Sequence, residues 1–154
     1  MTVIILPGSS LRNQALIQEA KNKYADIIAL RWNHWDGEEN RLDDYKRVLE
    51  TLQKHPQASV IAKSYGGALI MQALTQQEIS NNPITILGAL PQAYNKPTIN
   101  TQKIDARIHI IQNEQDPHGS YQEVTKHFSN VTCIKNNDTH SYELPTGHTR
   151  ENDL

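Results

Sequence analysis

The chain is 154 residues long, with 37% hydrophobic residues, 21% charged residues and a net charge of −2. That is enough chain for one domain with a real core, and so even a charge balance carries no footprint for nucleic acid or an anionic membrane. A single cysteine, Cys133, excludes a disulfide framework and a thiolate zinc site, and it points to a reducing, cytoplasmic compartment.

Short apolar runs alternate with amphipathic stretches along the chain. Residues 3–6 read as a first strand, closed by Pro7-Gly8 and lacking the basic start of a signal peptide. Ser9 or Ser10 then offers a cap for a helix over residues 11–24, with Leu11, Ala15, Ile17 and Ala20 expected inward. A second strand is predicted over residues 27–30, followed by a loop that holds Trp32, His34 and Trp35. Leu42, Tyr45, Leu49 and Leu52 recur at helical spacing, so a helix is expected over residues 41–55, stopped by Pro56.

Residues 59–63 are the third strand, and Ser64-Tyr65-Gly66-Gly67 turns into a helix over residues 68–78. The fourth strand covers residues 84–87. Residues 91–104 carry two prolines and little periodicity, so an irregular connection is expected there, with Tyr94 in it. A fifth strand over residues 107–112, a helix over residues 121–128 capped by Ser120, and a sixth strand over residues 131–134 complete the pattern. Cys133 lies inside that last strand and is expected to be buried. Strand–helix alternation predicts an α/β fold, a three-layer sandwich around a mostly parallel six-stranded sheet. The expected spatial order is second, first, third, fourth, fifth, sixth strand.

Ligands of such sheets bind at the carboxyl ends of the strands. Three strand ends carry chemistry. Ser64 follows the third, Asp116 the fifth and His140 the sixth. A neutral serine hydroxyl is a weak nucleophile, and a histidine within hydrogen-bond reach removes its proton during attack. A carboxylate on the other ring nitrogen fixes the tautomer and stabilises the imidazolium. The small residues around Ser64 permit the tight strand–turn–helix that lifts the hydroxyl clear of the sheet. Glu114 is the alternative acid, and His118 and His148 are the alternative bases.

Ser64-x-Gly66 in its strand–turn–helix, with Asp116 and His140 in that order, resembles the α/β-hydrolases, and in particular their compact, lidless members. The resemblance runs from Val3 to about Tyr142. It implies a serine hydrolase acting on an ester, thioester or similar small acyl substrate, with no cofactor and no metal. It also implies an oxyanion hole from the backbone N–H groups of Tyr65 and Ser9, since Pro7-Gly8-Ser9-Ser10 sits where the family places its oxyanion loop. Ala62 replaces the first glycine of the family's G-x-S-x-G, and Asn113 stands where a glycine is common. The antiparallel strands that often open the family's sheet are missing. Only 14 residues follow His140, so one sheet face is expected to be bare or covered by a partner, as a monomer or a homodimer.

Around that core the roles are open. Trp32, His34, Trp35 and Tyr94 are candidates to wall the substrate pocket. Lys63 is expected to reach solvent from its strand end. A binding protein that keeps the triad residues without turnover is the alternative function. A nucleotide site built on Gly8-Ser9-Ser10 would need a longer glycine motif than the chain has.

Overall fold

The computed structural model describes residues 1–38, 41–76, 82–94 and 108–145, without the side chains of residues 74, 75 and 94. Six strands form one sheet: β1 (Thr2–Leu6), β2 (Asp26–Ala29), β3 (Ser59–Lys63), β4 (Ile84–Leu87), β5 (Ile108–Asn113) and β6 (Val131–Ile134). Their order is β2-β1-β3-β4-β5-β6, with every pair parallel, as the strand–helix alternation predicts. The helices are α1 (Gln14–Lys23), α2 (Leu42–Lys54), α3 (Tyr65–Gln76), the short α4 (Pro91–Tyr94) and α5 (Tyr121–Thr125).

The two faces of the sheet are filled by alternating strand residues. Ile4 and Leu6, with Val60, Ala62, Ile86 and Ile110, pack under α2 and α3. Val3 and Ile5, with Ile61 and Leu87, pack on the opposite face under α1. Strands buried on both faces read as continuous apolar runs, which is why residues 3–6 and 84–87 carry so few polar side chains.

Two helix faces differ from the sequence expectation. On α1 the buried residues are Leu16, Ile17 and Ala20, while Leu11 and Ala15 are exposed. Residues 11–13 form a 3-10 turn capped by Ser10, and this tighter turn resets the phase of the helix behind it. On α2 the buried stripe is Asp44, Val48 and Leu52, and Leu42 is largely exposed. Buried Asp44 accepts a 2.7 Å hydrogen bond from the Tyr65 hydroxyl, which offsets its desolvation and ties α2 to the start of α3. Cys133 is half-buried, not buried, because β6 is an edge strand.

Beyond His140 the chain covers part of the α1 face itself. Tyr142 and Leu144 are buried against Val3, Ile5, Ile61 and Leu87. The Lys23 ammonium donates to the Leu144 carbonyl at 2.8 Å, and the Tyr24 hydroxyl donates to the Pro145 carbonyl at 2.8 Å. An extended segment therefore does part of what a closing helix would do. No helix among the described residues is long and apolar enough to cross a membrane.

Candidate active site

Ser64 stands between β3 and α3. Its N–H donates to the Leu87 carbonyl of β4, and its own carbonyl accepts the first helical hydrogen bond from Ala68. Its φ is 50°, the left-handed region that a non-glycine residue enters only when its surroundings impose it. The imposing contact is close: a Cβ on Gly66 would overlap the Leu6 carbonyl oxygen, and one on Gly67 would lie 2.8 Å from Ile86 Cγ2. Without side chains at both positions α3 presses onto β1 and β4, and the turn into it must be sharp enough to raise Ser64.

The Ser64 hydroxyl donates to His140 Nε2 at 2.9 Å, and His140 Nδ1–H donates to Asp116 Oδ2 at 2.7 Å. This tautomer is the one that suits both neighbours. The His140 side chain is 21% exposed and that of Asp116 is fully covered. A proton acceptor beside a nucleophile is thus open on one side and braced by a dry carboxylate on the other, the arrangement for nucleophilic attack on a carbonyl.

Asp116 has further partners that strand spacing does not announce. The Tyr142 hydroxyl donates to the same Oδ2 at 2.6 Å, and the His118 N–H donates to Oδ1 at 2.8 Å. Burial alone would raise the carboxyl's pKa. The hydrogen bonds from His140, Tyr142 and His118 outweigh that and hold it below its ordinary value. Tyr142 is pushed the other way, first by burial and then by its bond to Asp116, so it stays a donor. Its oxygen in turn accepts from the Asn113 N–H at 2.9 Å.

The β5 and β6 loops are locked together through amides. Asn113 Nδ2 donates to the carbonyls of Thr139 at 2.9 Å and Ser141 at 3.0 Å, fastening the histidine loop on both sides of His140. Asn113 therefore has a tertiary function. Fully buried Gln112 takes the Ala89 N–H and gives its own N–H to the Gly119 carbonyl, joining the β4 exit to the acid loop. Gly88, at φ 65°, leaves room for the same pair of rings: a Cβ there would reach Tyr142 and lie 3.1 Å from His140 Cε1.

The alternative acid and bases have other places. Glu114 accepts from the Asn136 N–H at 2.9 Å and turns β6. The acid loop does fold back, bringing the His118 ring within 4.4 Å of the His140 ring, yet the bonds to Ser64 and Asp116 belong to His140. His148 lies outside the described residues.

Three of the four candidates for the pocket wall, Trp32, His34 and Trp35, lie against the backbone of the loop after β1. Trp32 is fully buried, and its indole N–H donates to the Gly8 carbonyl at 3.0 Å and the Pro7 carbonyl at 3.2 Å. Trp35 donates to the Ser9 carbonyl at 2.8 Å, and His34 Nε2 lies 2.7 Å from the same oxygen. Arg41 donates to Ser9 Oγ at 2.9 Å. Together they hold the carbonyl side of residues 7–9. The loop after β2 runs beneath the loop after β1 because the strands are neighbours, and its donors are spent on backbone. The side chain of Tyr94 lies outside the described residues.

A cleft of about 440 Å³ opens beside Ser64, lined by Ser9, Tyr65, Leu90, His118 and His140 among others. Lys63 lines it too and is half-buried, contrary to the expectation of a solvated strand end. No group of three or more possible metal ligands is present among the described residues.

No protein-family model and no curated protein sequence matches the chain. Solved structures do. A candidate hydrolase of the α/β superfamily from Xanthomonas campestris covers 90% of this chain over 86% of its own length, at 14% identity and a TM-score of 0.62. The chain has the α/β-hydrolase fold. The ydeN gene product of B. subtilis (16% identity, TM-score 0.60, over 90% of this chain and 86% of its own) has a similar structure. A predicted CIB-like hydrolase from Thermoplasma acidophilum is also similar (14%, 0.61, over 90% and 76%). At these identities the likeness is one of fold, and the activity has to be argued from the site.

Proposed function

We propose that this chain is a serine hydrolase, carboxylesterase-like, acting on an ester, thioester or related small acyl compound. The observation that carries the reading is the unbroken relay from Ser64 through His140 to Asp116, at 2.9 and 2.7 Å, with Ser64 on a left-handed turn. As Ser64 Oγ adds to the carbonyl carbon, its proton passes to His140 Nε2, and Asp116 stabilises the imidazolium. The N–H groups of Tyr65 and Ser9 receive the oxyanion. Tyr65 begins α3, where N–H groups have no partner within the helix, and Ser9 lies across the same cleft. The leaving group takes the proton from His140 as the tetrahedral adduct collapses to an acyl-enzyme. Water then adds to the acyl carbon, giving a proton to His140 that returns to Ser64 as the acid departs.

All three side chains come from one chain, so a monomer suffices and a homodimer is not required. The lone half-buried Cys133 suits a reducing, cytoplasmic compartment. The test is fluorophosphonate labelling read by intact mass. One adduct is expected on the wild type, none on Ser64→Ala, and slow labelling of His140→Ala. A folded wild type that takes no adduct overturns this reading in favour of a binding protein without turnover.

A further inference from the structure

We propose that the cleft beside Ser64 selects acyl substrates bearing an anionic group, a carboxylate or phosphate, that lies against Lys63 and Arg12; this rests on the serine hydrolase reading. Lys63 is the last residue of β3 and directly precedes Ser64, so its side chain leaves the sheet on the α1 face within a few bonds of the reacting hydroxyl. Arg12 comes from the 3-10 turn behind the Pro7–Ser10 loop.

The cleft beside Ser64 meets a second of about 430 Å³ that extends toward α1. Lys63, Arg12, Asn13, Ser10, His118 and His140 line both. The two cations therefore sit where the clefts join, next to the nucleophile and its base. Lys63 is held below its ordinary pKa, first by burial and then by the Arg12 charge, with Asp116 acting weakly in the opposite direction.

Neither Lys63 nor Arg12 has a carboxylate partner among the described residues; Arg12 Nε reaches only Ser10 Oγ, at 3.5 Å. Among the described residues, no aspartate or glutamate lines the cleft beside Ser64. Asp116 is nearby, but its oxygens are taken by His140, Tyr142 and the His118 N–H. Glu19, at the far end of the second cleft, accepts from the Leu144 N–H. Leu90 and the Tyr65 ring supply apolar surface beside Ser64, and the two cations lie next to it. Two neighbouring cations, one of them partly desolvated, are most stable with an anion between them. The two cations where the clefts join favour a short acid half-ester over its uncharged counterpart.

The experiment compares monomethyl succinate with methyl butyrate, which share a carbon skeleton and differ in the terminal carboxylate. Both are titrated calorimetrically into Ser64→Ala, where turnover cannot intervene. Monomethyl succinate is expected to bind at least about fivefold tighter, the range of one charge-assisted contact. That ratio should fall toward one in Ser64→Ala/Arg12→Gln and Ser64→Ala/Lys63→Gln, and it should shrink as salt is raised. A ratio below fivefold in Ser64→Ala, or one that survives both double substitutions, overturns the proposal. Arg12 is exposed, so its substitution leaves the test standing even where Lys63→Gln fails to fold. Fluorophosphonate labelling separates the two readings. An adduct without anion preference sinks only the substrate class, and anion preference without an adduct sinks only the catalysis.

Discussion

The two halves of the site are held by different physics. The half that holds Ser64 is steric: Gly66 against the Leu6 carbonyl and Gly67 against Ile86 force the turn that puts Ser64 at φ 50°. The half that holds Asp116 and His140 is polar: Asn113, Gln112 and Tyr142 knit the loops after β4, β5 and β6 with hydrogen bonds. A steric half resists thermal and chemical perturbation until a side chain is added, and then fails at once. A polar half degrades in steps, one partner at a time, since buried hydrogen bonds to a charged group contribute about 1.5–3 kcal/mol each.

Substitutions can break this contrast in graded fashion. Ser64→Ala should cost the most in activity, on the order of 10⁴-fold or more in kcat for a reporter ester, with thermal stability retained. Asp116→Asn should follow at about 10³–10⁴-fold, because the amide favours the wrong histidine tautomer. Gly66→Ala should act through the backbone, destabilising by about 1–3 kcal/mol in urea unfolding and removing labelling of Ser64 along with it. If Gly66→Ala folds and labels normally, the steric account of the elbow is wrong.

Tyr142→Phe should be milder, about tenfold in kcat/KM, and it carries a signature in pH. The folded-state pKa of Asp116 lies below the ordinary 3.8, so its ionisation contributes stability above that value and loses it as pH falls through the folded pKa. Removing the Tyr142 hydroxyl raises the folded pKa. The stability difference between wild type and Tyr142→Phe should therefore be largest above about pH 4 and should close on further acidification. A difference independent of pH would make Tyr142 a packing residue only. The smallest effect is expected for Trp35→Phe. It removes one donor to the Ser9 carbonyl, which keeps His34, and should lower kcat about threefold with KM little changed.

Legibility in the sequence divides along the same line. The strands, their parallel order and the relay of Ser64, Asp116 and His140 follow from local pattern: apolar runs, a glycine-rich turn, and chemistry placed just past strand ends. The phases of α1 and α2 did not follow, because a 3-10 turn and a buried Asp44–Tyr65 bond shift them by a residue or two. Trp32, Trp35 and His34 read equally as pocket walls or as local packing, and in the fold they brace the Pro7–Ser9 backbone. No spacing in the sequence joins residue 9 to residue 35, since their meeting depends on β2 lying beside β1.

By itself, then, the sequence determined the α/β class, the sheet order and the three residues of the relay, since each depends on hydrophobic period or on a single turn. Tertiary structure alone decided which partners hold that relay. Tyr142 beneath Asp116, Gly88 beneath His140, and Lys63 beside Arg12 at the cleft are meetings of segments distant in the chain. Their energies depend on burial and on distances of a few ångströms, which exist only once the sheet has brought its carboxyl ends together.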